Sequence, residues 1–430
     1  MKRLILIMVL FQALSLLAQN VTVSGRVNKP QTLVRLMVYD DLLNMHETCI
    51  AETSSDDKGL FLLEGEVNKI MSASIVVGLE GVDIVVCPGA SYEVSITVPD
   101  PDPRASYFDR ESPTLRVKTA TDKGVYRQLI LSEEIINGYV LNYFDELFRR
   151  RQLRYLDSIR ATIDSEMDIK NEYVIQQNTY KIASIQMAVN ADGGQKVIKE
   201  YYDGKPVLYN CQAYMDLLKD LFKNYEVTEE FKARNPRLAE LIKIYHLRSA
   251  YYSEIPRLRG GIKKQLQVVK DKSSYAETKK MVTNMLARFD KLAPGAPALD
   301  FALKNLAGNT VKLSDFKDKV VVLQFVEGTS RTVEHQFEVL ADLHHQWQDQ
   351  VQLITITTKD QLSSHRKRFE EHHYDWPLLN LGNDILLLEQ YEVRTFPEYF
   401  IINKGTKIGI APAPSPDQTL DEYVRGICGE

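Results

Sequence analysis

Four hundred and thirty residues, at about 150 per domain, imply two or three domains. A composition 44% hydrophobic and 26% charged supplies enough apolar material for real cores, and four cysteines are too few for a disulfide-stapled scaffold. A net charge of −5 excludes a global basic field, and with it the nucleic-acid-binding class.

Lys2 and Arg3 precede an uncharged run from Leu4 to Leu17, which ends in Ala18, Gln19 and Asn20. This is the layout of a secretory signal peptide over residues 1–19. The run is short for a bilayer span, an uncleaved anchor being the other reading. No later stretch is long and apolar enough to cross a membrane. The sequence therefore implies export, with the periplasm as the location and no stable span after cleavage.

Residues 20–100 read as strands. VTVSGRV, LVRLMVY, CIAETSS, GLFLLEGEV, ASIVVGL, DIVVC and YEVSITV follow one another between turn residues such as Asp56, Asp57, Lys58 and Gly59. Short strands at this spacing predict an antiparallel β-sandwich. The zone is acidic, with 5 Lys/Arg against 12 Asp/Glu. Three prolines at 99, 101 and 103 then make a stiff linker.

Residues 108–290 change to a helical period. One long helix is expected from Tyr126 to Ile159, with further helices over 171–191, 210–224, 237–253 and 275–292. This zone carries 31 Lys/Arg against 25 Asp/Glu, opposite in sign to its neighbour. Arg149, Arg150, Arg151 and Arg154 form its densest basic cluster, either a solvated helix face or a site for an acidic partner. Sixteen of the 22 tyrosines fall between Tyr107 and Tyr275. They read as a wet helix–helix seam or as a groove for peptide or glycan.

Residues 293–430 alternate strands and helices, which implies an α/β sheet covered on both faces. The elements are a hairpin turning at Ala307, Gly308 and Asn309, a buried strand over 320–326, a helix over 332–347, a buried strand over 351–357, a helix over 360–373, a hairpin from Glu398 to Ile410, and a helix over 417–427. The stretches APGAPALDFALKNLAGNTVKLSDFKDKVVVLQF and YEVRTFPEYFIINKGTKI resemble the thioredoxin-like domain of the TlpA/ResA family of exported thiol–disulfide proteins. In the N-terminal zone, GRV, DDKGLFLLEGEV and PGASYEV resemble a β-domain found ahead of such modules in Bacteroidetes exported proteins. The helical middle resembles no family named here.

The resemblance implies a Trp-Cys-x-x-Cys motif after the central strand, because exchange needs a low-pKa thiolate at a helix start and a second thiol to resolve the mixed disulfide. Here Thr329, Ser330, Arg331, Thr332 and Val333 stand in its place. Gln324 stands where redox-active thioredoxins bury a carboxylate. Cys49, Cys87, Cys211 and Cys428 lie at no redox-motif spacing, although a Cys49–Cys87 pairing is conceivable. His335 lies one turn into the helix and could approach Ser330. His344, His345, His365, His372 and His373 read as polar helix surface, so no metal site and no cofactor is expected. The resemblance also implies that the Phe396–Pro397 bond is cis and that its loop faces the helix start.

Ser330, Thr395, Phe396 and Pro397 are therefore the candidate binding residues, and no catalytic residue is assigned. Two functions remain: a redox-inactive binding or scaffold module for a protein or peptide partner in the cell envelope, or a thiol–disulfide oxidoreductase-related enzyme with a non-standard site. Limited proteolysis of the intact chain is expected to cut first within 99–106 or 292–299, where prolines interrupt regular structure. Early cleavage within 320–357 would contradict this division.

Overall fold

The computed structural model describes residues 19–100, 112–189, 194–223, 225, 227–252, 258–347, 350–358, 361–382, 386–393 and 395–429. The expected signal peptide, apart from Gln19, and most of the proline linker lie outside them. The chain divides into two compact units, one of residues up to 98 together with 113–286, the other built on residues from 287 onward.

All seven expected strands of the N-terminal zone form: β1 (Gln19–Val27), β2 (Leu33–Asp41), β3 (His46–Ser54), β4 (Leu60–Val67), β5 (Met71–Val77), β6 (Glu80–Val86) and β7 (Ser91–Thr97). They make two four-stranded sheets, ordered β4-β1-β7-β8 and β3-β2-β5-β6. The fourth member of the first sheet, β8 (Thr114–Ala120), comes after the linker, within the zone expected to be wholly helical. Strand β4 is alternately exposed and buried along its length, as a one-sided sheet requires. The pairing is antiparallel except between β1 and β7, which run parallel. Val23, Val34, Phe61, Ile75 and Val94 from both sheets share one core.

The helices are α1 (Val125–Asn142), α2 (Arg154–Glu166), α3 (Glu172–Val189), α4 (Gln212–Phe222), α5 (Glu229–Arg234), α6 (Pro236–Tyr251), α7 (Arg259–Lys272) and α8 (Ala276–Lys291). The single long helix expected from Tyr126 is instead α1, capped by Tyr143 at a φ of −122°, a π-helical turn over Asp145–Arg149, and α2, with Arg151 at a φ of 53° between the last two. Val125 and Leu129 of α1 and Tyr173 and Val174 of α3 join the sandwich core, and this shared burial puts strands and helices in one unit. Tyr180, Tyr201, Tyr202 and Tyr214 form one packed cluster: Tyr202 and Tyr214 are buried, and the Tyr202 hydroxyl donates to the Tyr214 carbonyl at 2.8 Å. The arginines of the basic cluster are exposed.

The second unit is a thioredoxin-like α/β domain. Its elements are β9 (Ala302–Asn305), β10 (Thr310–Lys312), β11 (Val320–Val326), α9 (Arg331–Trp347), β12 (Val351–Thr357), α10 (Leu362–His372), β13 (Leu378–Asn380), α11 (Leu386–Gln390), β14 (Glu398–Asn403), β15 (Lys407–Ala413) and α12 (Leu420–Cys428). The seven-stranded sheet runs β10-β9-β13-β12-β11-β14-β15. Every residue of β11 is buried. Val320, Val322 and Val326 enter the core on one face, Val321, Leu323 and Phe325 the core on the other.

Two glycines should respond oppositely to the same change. Gly59 closes the expected turn at a φ of 77°, and a Cβ there would lie 2.0 Å from the Val27 carbonyl oxygen. Gly138 sits within α1 with nothing within 4 Å of its would-be Cβ. In urea denaturation, Gly59→Ala is expected to destabilise the first unit by more than about 2 kcal/mol, and Gly138→Ala to stabilise it by about 0.5–1 kcal/mol.

Candidate functional site

Strand β11 runs parallel to β12 and antiparallel to β14. The ends of β11 and β12 and the start of β14 therefore share one edge of the sheet. Phe325 pairs with Glu398, so the loop leading to Ser330 and the loop containing Pro397 leave from neighbouring positions. This register brings all four sequence candidates to that edge. Both the Phe396–Pro397 and Ala411–Pro412 bonds are cis.

Ser330 immediately precedes α9 and caps it. Its Oγ accepts from the Val333 amide at 3.3 Å, and its carbonyl accepts from the Glu334 amide at 2.9 Å. Capping satisfies amides that would otherwise be orphaned at the helix start. Val333 is 3% exposed and packs in the core with Phe337 and Leu340. Glu334 in the first turn pairs with Arg368 at 3.2 Å, and that guanidinium lies over the Phe337 ring. His335 points elsewhere: it is exposed, and its Nδ1 lies 4.0 Å from Glu338.

Across the edge, Thr395 is exposed and Phe396 and Pro397 are half-buried. The Thr395 amide donates to the Glu398 carboxylate, and burial raises the Glu398 pKa to about 7. Among the described residues, the Phe396 backbone amide and carbonyl make no hydrogen bond.

Beneath the site runs a buried polar chain centred on Gln324, which is fully buried. Trp376 Nε1 donates to Thr355 Oγ1 at 3.0 Å, and that hydroxyl donates to Gln324 Oε1 at 2.8 Å. Gln324 Nε2 donates to the Tyr399 hydroxyl at 3.1 Å, Tyr399 to Gln336 Oε1 at 2.8 Å, and Gln336 Nε2 to Asp417 Oδ1 at 3.1 Å. Every bond points the same way, and the chain ends on a carboxylate. Hydrogen bonding from Ser415 holds Asp417 below its usual pKa; burial opposes it next, and the bonds from its own backbone and from Gln336 add to the lowering. Sequence reasoning found Gln324 but missed its partners Thr355 and Tyr399 and, beyond Tyr399, Gln336. Their signal was polarity at core-facing positions of β12, β14 and α9.

One sequence reading is corrected. His365 is fully buried, not on a polar helix surface. Leu362, His365 and Phe369 recur three and four apart, the spacing of a helix face turned to the core, and both His365 and Phe369 are buried. Burial, followed by the nearby Arg368, lowers its pKa to about 4, so the ring is neutral near pH 7. Both ring nitrogens, both amide atoms of Gln361 and the hydroxyls of Thr357 and Thr358 are buried with no partner among the described residues. His344 is also drawn inward, bonding Asp375 at 3.1 Å beside the Trp376 ring. His345, His372 and His373 are exposed as expected.

No disulfide joins any of the four cysteines. Burial pushes the Cys87 and Cys211 thiols up to about 11, far from the thiolate that exchange requires. Among the described residues no group of three His, Cys, Asp or Glu could hold a metal ion, and no helix is long and apolar enough to cross a membrane.

Residues 294–410 match the model of the AhpC/TSA family, so the chain carries an AhpC/TSA thioredoxin-fold domain at its C-terminal end. The chain is 21% identical over 140 residues to a thiol-disulfide oxidoreductase ResA of Bacillus subtilis, covering 32% of this chain and 78% of that one. It is 25% identical over 127 residues to the ResA of Geobacillus kaustophilus, covering 29% and 72%. Among solved structures it is similar to the thioredoxin domain of a Bacteroides vulgatus thiol-disulfide oxidoreductase, with 25% identity, 32% and 99% coverage and a TM-score of 0.29.

Glu398 supplies a pH test. Its folded pKa is above the ordinary 4.5, so its contribution to stability is full below about pH 4.5 and is lost as pH rises through about 7. Glu398→Gln should remove that loss, narrowing the difference in unfolding free energy between about pH 5 and about pH 8 by roughly 2–3 kcal/mol. An unchanged pH dependence in urea denaturation would refute the assignment.

Proposed function

We propose that this chain is an exported, redox-inactive thioredoxin-like protein whose C-terminal domain binds an extended polypeptide in the cell envelope without exchanging disulfides. The observation that carries the reading is the divided state of the site. Ser330 and Val333 are committed to a helix cap and to the core, while the Phe396 backbone groups beside Pro397 remain available to a strand-like ligand. A serine hydroxyl cannot act as a nucleophile near neutral pH without a base, and His335 is turned to Glu338 instead. Gln324 cannot move a proton as a buried carboxylate would.

The names of the ResA relatives favour a second reading, a thiol–disulfide oxidoreductase-related enzyme with a non-standard site. One experiment separates the two. The parent protein is expected to show no insulin reduction. Ser330→Cys places a thiol at the positive helix end, lowering its pKa below the free value of about 8.5, and Val333→Cys adds the resolving thiol. The double variant should form an internal disulfide and gain partial activity, since Thr329 and Gln324 leave the usual tryptophan and acid absent. Parent activity abolished by mutating Cys211 or Cys428 would establish the enzyme reading instead.

A further inference from the structure

The first unit holds a cavity of about 730 Å³ between the β2/β5/β6 face and helices α1, α3 and α4. Its volume lies within the range of about 300–1,000 Å³ typical of ligand sites. The floor is apolar: Ile84, Leu129, Ile136 and Leu217 line it and are buried, and Ile130 on its wall is 39% exposed.

Four carboxylates stand around this floor, Asp83, Glu133, Asp216 and Asp220, against one lining cation, Lys181. Lys181 is already bound to Glu133 at 2.8 Å, and Asp216 is held by Lys219 at 3.0 Å. Among the described residues Asp83 and Asp220 form no ion pair. Asp83 lies exposed at the rim, where partial desolvation raises its pKa. Asn137 and Ser184 also line the cavity and supply an amide and a hydroxyl of the kind that pairs with peptide backbone groups.

We infer that this cavity is a second binding site, taking a polypeptide segment in which a basic side chain stands beside aliphatic or aromatic ones. Apolar side chains would fill the floor, and the basic group would meet Asp83 and Asp220 at the exposed rim, where salt screens the attraction. An acidic ligand is disfavoured by the same carboxylates; Tyr39, Tyr126, Phe148, Tyr173 and Tyr180 also line the cavity, and a glycan, the other class such rings accept, would leave both peptides below unbound. The inference goes beyond the reading of the C-terminal site and does not depend on it.

The test uses the full chain and a fluorescein-labelled peptide alternating leucine and lysine, with a second peptide carrying glutamate in place of lysine. Fluorescence anisotropy should show the lysine peptide binding at least about tenfold more tightly, with affinity falling as salt rises. Asp83 and Asp220 are exposed at the rim, so Asp83→Lys combined with Asp220→Lys should keep the fold, checked by circular dichroism, and weaken the lysine peptide by about tenfold or more. The same charge reversal at Glu64 and Glu66, which are exposed on β4 and do not line the cavity, should leave this affinity unchanged. Equal binding of the two peptides, no binding of either, or insensitivity to the rim reversal would each overturn the proposal. The salt dependence of the parent decides the matter even if the double variant misfolds.

Discussion

Gln324 sets the terms for the C-terminal domain. It is a fully buried amide midway along a strand whose every neighbour is buried, and leaving either of its polar ends unpaired would cost about 1–3 kcal/mol. Thr355 and Tyr399, on the two strands flanking β11, satisfy it. They in turn engage Trp376 and Gln336, so that β12, β14 and α9 are tied to the central strand by one directed chain. A network satisfied along its length rigidifies a core, whereas one broken link exposes the cost of the rest.

The same chain fixes what position 324 can do. A carboxylic acid at position 324 could accept and release a proton beneath the helix start. An amide has no such cycle near neutral pH, and both of its ends are already occupied. Serine and valine at 330 and 333 thus stand over a support in which Gln324 is held as a fixed hydrogen-bond relay. The strand register places the helix cap beside the cis-proline loop.

How far this was legible in the sequence depended on whether a residue's role was local. The strand runs of the N-terminal zone and the apolar run of β11 announce themselves by period and turn chemistry, and all of them formed. Ser330, Thr395, Phe396 and Pro397 were located by order along the chain, and their convergence follows from the strand register. What escaped was set by distant contacts. β8 carries little apolar signal and is held in place by pairing with β7. The interruption between α1 and α2 turns on Tyr143 and Arg151, which leave the helical region on either side of a π-helical turn. His365 looked like surface because its neighbours Arg366, Lys367 and Arg368 are charged, yet only its own face of α10 meets the core.

The electrostatics at the helix start decide which ligand this edge suits. A bare helix N-terminus offers free amides and positive potential, and so attracts anions. At α9 the Ser330 hydroxyl already occupies the Val333 amide, and Glu334 brings a negative charge into the first turn. Arg368, the nearby cation, is bound to that glutamate. On the opposite loop, the Thr395 amide is taken by Glu398. Among the described residues the Phe396 backbone offers one donor and one acceptor, in a bend just ahead of β14, and the exposed Arg331 stands at the first position of α9. The backbone pair matches the amide and carbonyl of an extended chain. In the first unit the cavity is the converse, with an apolar floor under a surplus of carboxylates. A polypeptide ligand would be read by backbone pairing at one place and by side-chain charge and apolarity at the other.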